Sequence, residues 1–355
     1  MKMTLKQGIA LSIIPQLLVV NLLKTRPDWV ESLYSNGLYL WLSKISRIIL
    51  GWIPFSLGDL LYVAAILLVI RFFILKGHLF FNATRKFFTE VFAMFSIAYL
   101  IFHLAWGMNY HRKQLHEFFD IDDEYTTQEL IAFTERIIDR SNAIHLELVA
   151  NESVKVEMPF TKWEVLNGTQ NGYKNLARAY PLLTYDHSSI KMSTLSLPLT
   201  FMGYSGYLNP FTNEAQVNYK MPIYKFPTTV AHEQAHQLGF AAENEANFIG
   251  YLATINNDDP YYKYSGYTFA LRYCLGEMYR RDLEEYQRLS ERINEGIKKN
   301  YREVTAFWRS YENPAEPIFK KSFDTYLKAN SQEKGIESYS YIVALLVNYY
   351  EDHNL

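Results

Sequence analysis

Residues 232–236 read His-Glu-Gln-Ala-His, and seven residues past the second histidine stands Glu243, the first of a Glu-Asn-Glu-Ala-Asn run. On a helix, positions i and i+4 share a face, so His232 and His236 can offer two imidazoles to one metal ion. Glu233 lies beside them, suited to take a proton from a polarised water rather than to bind the metal. Two histidines and a carboxylate leave one position of a tetrahedral Zn2+ open, which is the pattern of a catalytic site rather than a structural one. The chemistry expected is hydrolysis, with Glu233 as general base passing its proton to the leaving amine.

An HExxH string occurs by chance, so its surroundings decide. Pro227-Thr228-Thr229 makes a good helix start, since proline suits the first turn and threonine can cap. Gln234 and Ala235 are uncharged, as a helix buried beside a metal requires. On an unbroken helix Glu243 would lie about 16 Å along the axis from His232, out of reach of the same ion. Gly239 supplies the escape, because glycine adopts the left-handed conformation that ends a helix and reverses the chain. A second helix opening near Ala242 then brings Glu243 back as third ligand, with Glu245 as the alternative should the turn be longer. Asn247, one turn after Glu243, is placed to hydrogen-bond a ligand histidine. The other histidines (His78, His103, His111, His116, His145, His187 and His353) have no partner at ligand spacing.

The rest of the chain must position that site. Its 355 residues are enough for two domains, and a net charge of −2 speaks against nucleic-acid binding. One cysteine, Cys274, excludes an internal disulfide and a cysteine-rich zinc site. Apolar character is concentrated in residues 1–107, where spans are expected near 8–23, 56–75 and 88–107, with an amphipathic interfacial helix near 33–52. The basic loop from Lys76 to Lys86 is assigned to the cytoplasm, which puts the soluble domain, 108–355, outside it. There a capping box at Thr126–Glu129 starts a helix running to about Leu148, and a second polar helix is expected over Gly168–Ala179. The segments SLPLTFMGYSGYLNP and EAQVNYK read as strands, with an edge for an extended peptide somewhere in Tyr207–Tyr219. Gly266 to Ser310 reads as a long helical stretch, and Ile336–Tyr350 as a buried helix too short to span a bilayer.

Two resemblances follow from these residues. The run Glu243–Asn247 resembles the Glu-x-x-Ala/Ser-Asp element of gluzincin metallopeptidases, including the membrane-bound prenyl-protein-protease-like group. It departs from them in Asn247, where aspartate is usual, and in the short distance between His236 and Glu243. Nearly the whole chain is similar to the bacterial integral-membrane family catalogued as domain of unknown function 3810. The stretches that carry this are Tyr34–Tyr39, Pro54–Asp59, Trp106–Arg112, HEQAHQLGF and Tyr326–Asn330. The resemblance implies a multi-span, mainly α protein in the bacterial cell membrane, with an α+β zincin-like domain and a small sheet.

The expectation is therefore a membrane-anchored zinc metallopeptidase acting on a peptide or protein, embedded in a lipid bilayer. Its ligands are His232, His236 and Glu243, and one of Tyr204, Tyr207, Tyr264 and Tyr267 steadies the oxyanion. The competing readings are a non-catalytic, zinc-stabilised membrane scaffold and a metal-dependent hydrolase of a non-peptide envelope amide.

Overall fold

The first third of the chain forms α1 (Leu5–Lys24, with a turn at Ser12), α2 (Tyr39–Gly51), α3 (Leu57–Lys76) and α4 (Thr84–Ala105). These come from a computed structural model that describes residues 3–332, 335 and 341–355. Helices α1, α3 and α4 are long and apolar enough to cross a membrane, a composition compatible with a membrane protein. Along α3 the leucines, isoleucines and valines from Leu60 to Leu75 point outward. Water would penalise that surface and lipid would not. Polar contacts join α1 to α4, where Ser12 Oγ lies 2.9 Å from Ser96 Oγ and Gln16 Nε2 donates to the same atom at 2.9 Å.

The interfacial segment is a π-helical stretch, Val30–Leu38, running into α2. Helix α2 is amphipathic with its polar side inward. Tyr39, Ser43 and Arg47, spaced four apart, are buried against the rest of the protein, while Trp41, Ile45, Ile48 and Ile49 are exposed. A helix resting on protein through polar groups and presenting isoleucines outward fits a position against lipid.

The remaining chain packs helices around a three-stranded sheet: β1 (Ile190–Met192), β2 (Gly206–Asn209) and β3 (Glu214–Val217). The order is β1-β3-β2, with β1 parallel and β2 antiparallel to the central β3. The edge expected within Tyr207–Tyr219 is thus β2, while β3 lies inside the sheet. SLPLTFM, read as a strand, is a helix over Ser196–Met202. Its alternation was ambiguous over so short a run, and Pro198 falls in the first turn, where no helical N–H is needed.

The helices relevant to the site are α5 (Thr127–Val149), α6 (Lys162–Ala179), α7 (Phe226–Gln237), α8 (Glu243–Ile255), α9 (Pro260–Arg281), α10 (Glu316–Ala329) and α11 (Ile342–Asp352). The capping box at Thr126 opens α5, and another at Thr161 starts α6 six residues earlier than the sequence suggested. The stretch Gly266–Ser310 is three helices, cut at Asp282, whose carboxylate caps Leu283–Glu291, and again at Asn294 before Glu295–Arg309. Helix α11 is buried from Ile342 to Tyr350. Residues 336–340 of that expected segment lie outside the described residues. Its core companions are Phe133, Ile137 and Ile138 of α5, Phe248 and Tyr251 of α8, and Leu271 of α9.

Two carboxylates fasten the sheet to α3. The fully buried Glu214 accepts from the free N–H groups of Leu57 and Gly58 in the helix's first turn, where the dipole favours an anion. Asp59, also fully buried, accepts from Ser193 Oγ, Thr194 N and Oγ1, and the Tyr207 hydroxyl. Lys191 of β1 donates to the carbonyls of Leu50, Gly51 and Ile53 at the end of α2. The sheet and the apolar helices are one packed unit at this seam.

Candidate metal centre

Helix α7 has Pro227 in its first turn and is buried on nearly every side. It ends at Gln237, and Gly239 follows at φ +90°, in the left-handed region. The N–H of Gly239 donates to the His236 carbonyl at 3.0 Å and that of Phe240 to the Ala235 carbonyl at 3.2 Å. This pair of bonds is the Schellman ending, which turns the chain back on itself. Helix α8 then opens at Glu243 with Ala242 as its N-cap, antiparallel neighbour to the helix just left.

That reversal brings Glu243 to both histidines. Its Oε2 lies 3.2 Å from His232 Nε2 and 3.5 Å from His236 Nε2, with all three side chains nearly inaccessible. The two rings stand 4.6 Å apart, almost perpendicular. One ligand atom from each of His232, Glu233 and His236 lies within 4.8 Å of the others. Glu245 is elsewhere: its Oε1 accepts from the Leu115 N–H at 2.7 Å, and burial pushes its carboxyl up to about 7.

His236 Nδ1 is 2.7 Å from the Phe240 carbonyl, which places a proton on Nδ1 and turns Nε2 toward Glu243. At Glu243 Oε2, ion-pair distances are met without hydrogen-bond geometry, leaving that buried oxygen unbonded, as is Glu233 Oε2. A proton on an imidazole or a metal cation among these donors would satisfy such an arrangement. Two imidazoles and a carboxylate are the donor set that suits zinc.

The electrostatics couple the same groups. Burial alone would raise Glu243, but His236 and His232 override it and hold the carboxyl far below the usual range. Burial disfavours charge on His236 as well, yet the Glu243 and Glu233 carboxylates raise it to about 9. For His232 burial wins and the ring is lowered. Burial pushes Glu233 up to about 8, near neutrality, where a carboxyl can both take and give a proton.

Asn247 donates to the Tyr273 hydroxyl at 3.4 Å and lies close enough to act on the His232 ring, but the hydrogen bond expected between them is not formed and His232 Nδ1 is left unbonded. Of the four tyrosines considered from sequence, Tyr204 and Tyr207 line the cavity in front of the site, whereas Tyr264 and Tyr267 are buried in the core. Sequence reasoning missed Tyr273 and Tyr326, which line the same cavity and feel the Glu243 charge; burial keeps both raised to about 12, so their hydroxyls stay protonated. Only the membership of Tyr326 in a family-like stretch could have singled it out. Gly206 was also missed: a Cβ there would come within 2.5 Å of Glu233 Oε1, so β2 approaches the carboxylate as closely as a side-chain-free residue permits.

The cavity measures about 1020 Å³ and is lined by the two histidines together with residues of the apolar helices and of the rest of the chain. Its lining includes Tyr62 and Ile66 of α3, Phe102 of α4, Tyr207 of β2, and Phe323 and Tyr326 of α10, with the Tyr62 and Tyr207 rings 5.6 Å apart and those of Phe102 and Tyr326 6.3 Å apart.

A largely helical chain with three apolar helices and a buried His-His-Glu cluster is thus defined. It belongs to the family described as Protein of unknown function (DUF3810), whose model matches residues 34–347. No curated protein and no solved structure matches the chain.

Proposed function

We propose that the protein is a membrane-anchored, zinc-dependent metallopeptidase of the bacterial cell membrane, with its catalytic residues on the extracytoplasmic side. The observation that carries this reading is the approach of Glu243 Oε2 to both His232 Nε2 (3.2 Å) and His236 Nε2 (3.5 Å), with an unbonded Glu233 oxygen beside them. Those three side chains would hold the zinc, which when bound would supply Lewis acidity toward a carbonyl and a water. Glu233 accepts the water's proton and delivers it to the amide nitrogen. The C–N bond breaks, the hydroxyl stays on the carbonyl carbon, and the nitrogen leaves as the amine. The hydroxyls of Tyr273 and Tyr326 line the cavity and can donate to the oxyanion. The free edge of β2 offers main-chain groups to an extended peptide.

A non-catalytic zinc scaffold fits less well, because structural sites are closed by protein ligands and this one faces a cavity of about 1020 Å³. The test uses the full chain purified in detergent. The wild type is expected to bind one equivalent of zinc and to cleave members of a broad peptide library. Glu233→Gln should keep the zinc and lose activity roughly a thousandfold, within the range for removal of a general base. Stoichiometric zinc with no turnover on any peptide would sink the peptidase reading, and no zinc would sink the metal site.

A further inference from the structure

One charged side chain of the cavity has no use in the chemistry above. Lys225 immediately precedes α7, seven residues before His232, and lines the same cavity as Thr228, Thr229, His232 and Glu233. It is largely buried, and among the described residues no hydrogen bond or ion pair engages its ammonium group; the charged residue that acts on it is another cation, Arg272. The cavity's other lysine differs: Lys320 is neutralised by Glu316 at 2.6 Å. Burial and Arg272 together lower Lys225 to about 8, so at neutral pH it still carries its charge. An unpaired buried ammonium is costly, and a protein keeps one where an anion arrives to meet it.

Geometry limits where that anion sits. Seven residues of helix separate Lys225 from His232 by about 10 Å along the axis, a distance covered by roughly three residues of extended chain. The ammonium therefore addresses a group close to the bond being cut. The first turn of α7 adds its free N–H groups and the positive end of the helix dipole to the same corner. Apart from Lys225, Lys320 and the histidines and glutamates of the site itself, the cavity lining is apolar or neutral, which suits the flanking side chains of a peptide.

We propose that Lys225 is a specificity-determining residue, and that the preferred substrate is a peptide with a carboxylate within about three residues of the scissile bond. The carboxylate is either the peptide's own C-terminus or an Asp or Glu side chain. This rests on the peptidase reading, and the test separates the two.

Zinc-loaded full-length wild type, Lys225→Met and Lys225→Arg are compared in detergent on matched peptides. One set differs only in a free or amidated C-terminus, and another carries Asp or Asn at each position around the cleaved bond. Wild type should cleave the acidic member with kcat/KM roughly tenfold to a hundredfold higher, the range for a hydrogen bond to a charged group. Lys225→Met should lose that preference while still cleaving neutral peptides and binding zinc, and Lys225→Arg should keep it. The set showing the preference tells a terminal carboxylate from a side chain. Equal cleavage of acidic and neutral peptides by wild type, or a preference that survives in Lys225→Met, overturns the inference and leaves the peptidase reading standing.

Binding is read separately by fluorescence anisotropy on zinc-loaded Glu233→Gln, with and without Lys225→Met. Selective capture of the acidic peptide that depends on Lys225 supports the inference even where no peptide is cleaved. Equal capture of both peptides overturns it.

Discussion

Lys225 caps the helix that carries Glu233 and lines the same cavity, and both bear groups that burial makes costly to charge. For Lys225 the cost has a pH signature. Below pH about 8 the folded and unfolded chains both hold the proton, and the folded chain bears the full penalty of a buried ammonium. Between about 8 and the ordinary 10.5, the folded lysine is neutral while the unfolded one is still charged, so stability rises with pH across that window. The whole difference corresponds to about 3 kcal/mol. Thermal unfolding of the detergent-solubilised protein should therefore show Tm rising more steeply between pH 8 and 10 in wild type than in Lys225→Met. Identical slopes would mean that the ammonium is hydrated in the folded state. The same titration predicts that recognition of acidic peptides weakens above pH 8.

At the scale of elements, the site depends on how α7 ends. An alanine at 239 would take a left-handed conformation that costs about 1–2 kcal/mol. Its Cβ would also meet the Tyr39 ring at 2.9 Å and Asn109 Oδ1 at 3.1 Å. Both effects push α8 away from α7, and Glu243 with it. Gly239→Ala should lower zinc affinity roughly tenfold to a hundredfold, as changes that disturb ligand orientation do. Chelator competition measures this, and an unchanged affinity would show that the reversal tolerates an ordinary residue. This turn was legible in the sequence because each step was local: proline and threonines open a helix, two histidines share its face, and a glycine at the right distance closes it. The three apolar helices were legible for the same reason, through length and composition. What the sequence did not show depends on long-range packing. The inward polar face of α2 is decided by Asn213 and Gln237, to which Ser43 bonds, 170 and 194 residues away. Tyr326 reaches the cavity from α10, more than eighty residues past Glu243, with no spacing to announce it. Ser196–Met202 was misread because seven residues of mixed texture support a strand or a helix equally, and contacts elsewhere choose.

Across the whole molecule, hydropathy divides the chain at 107/108, but the hydrogen bonds do not. The carbonyls at the end of α7 are capped from the other side of that line: Trp106 Nε1 donates to His236 O at 3.1 Å, Tyr39 and Ser43 hydroxyls to Gln237 O at 3.0 and 2.8 Å. Glu214 depends on the N–H groups of Leu57 and Gly58, and Asp59 holds Ser193, Thr194 and Tyr207 in place. Removing residues 1–108 would strip these partners from buried groups, at about 1–3 kcal/mol for each one left unsatisfied and more for the Glu214 carboxylate. Several such losses compare with the roughly 5–15 kcal/mol that holds a domain together. The fragment 109–355, made alone, should therefore lack a cooperative melt and bind zinc far more weakly than the full chain, although it contains all three proposed ligands and Glu233. Trp106→Phe in the full chain isolates a single bond: it keeps most of the ring packing against Tyr110 and His236 but leaves the His236 carbonyl without its indole donor. It should lower Tm by a few degrees and weaken zinc binding in the same direction as Gly239→Ala. A monomeric 109–355 fragment that melts cooperatively with one equivalent of zinc would show that the apolar helices only anchor the site. Failure of the fragment beside a folded, zinc-binding full chain would show that they are part of its construction.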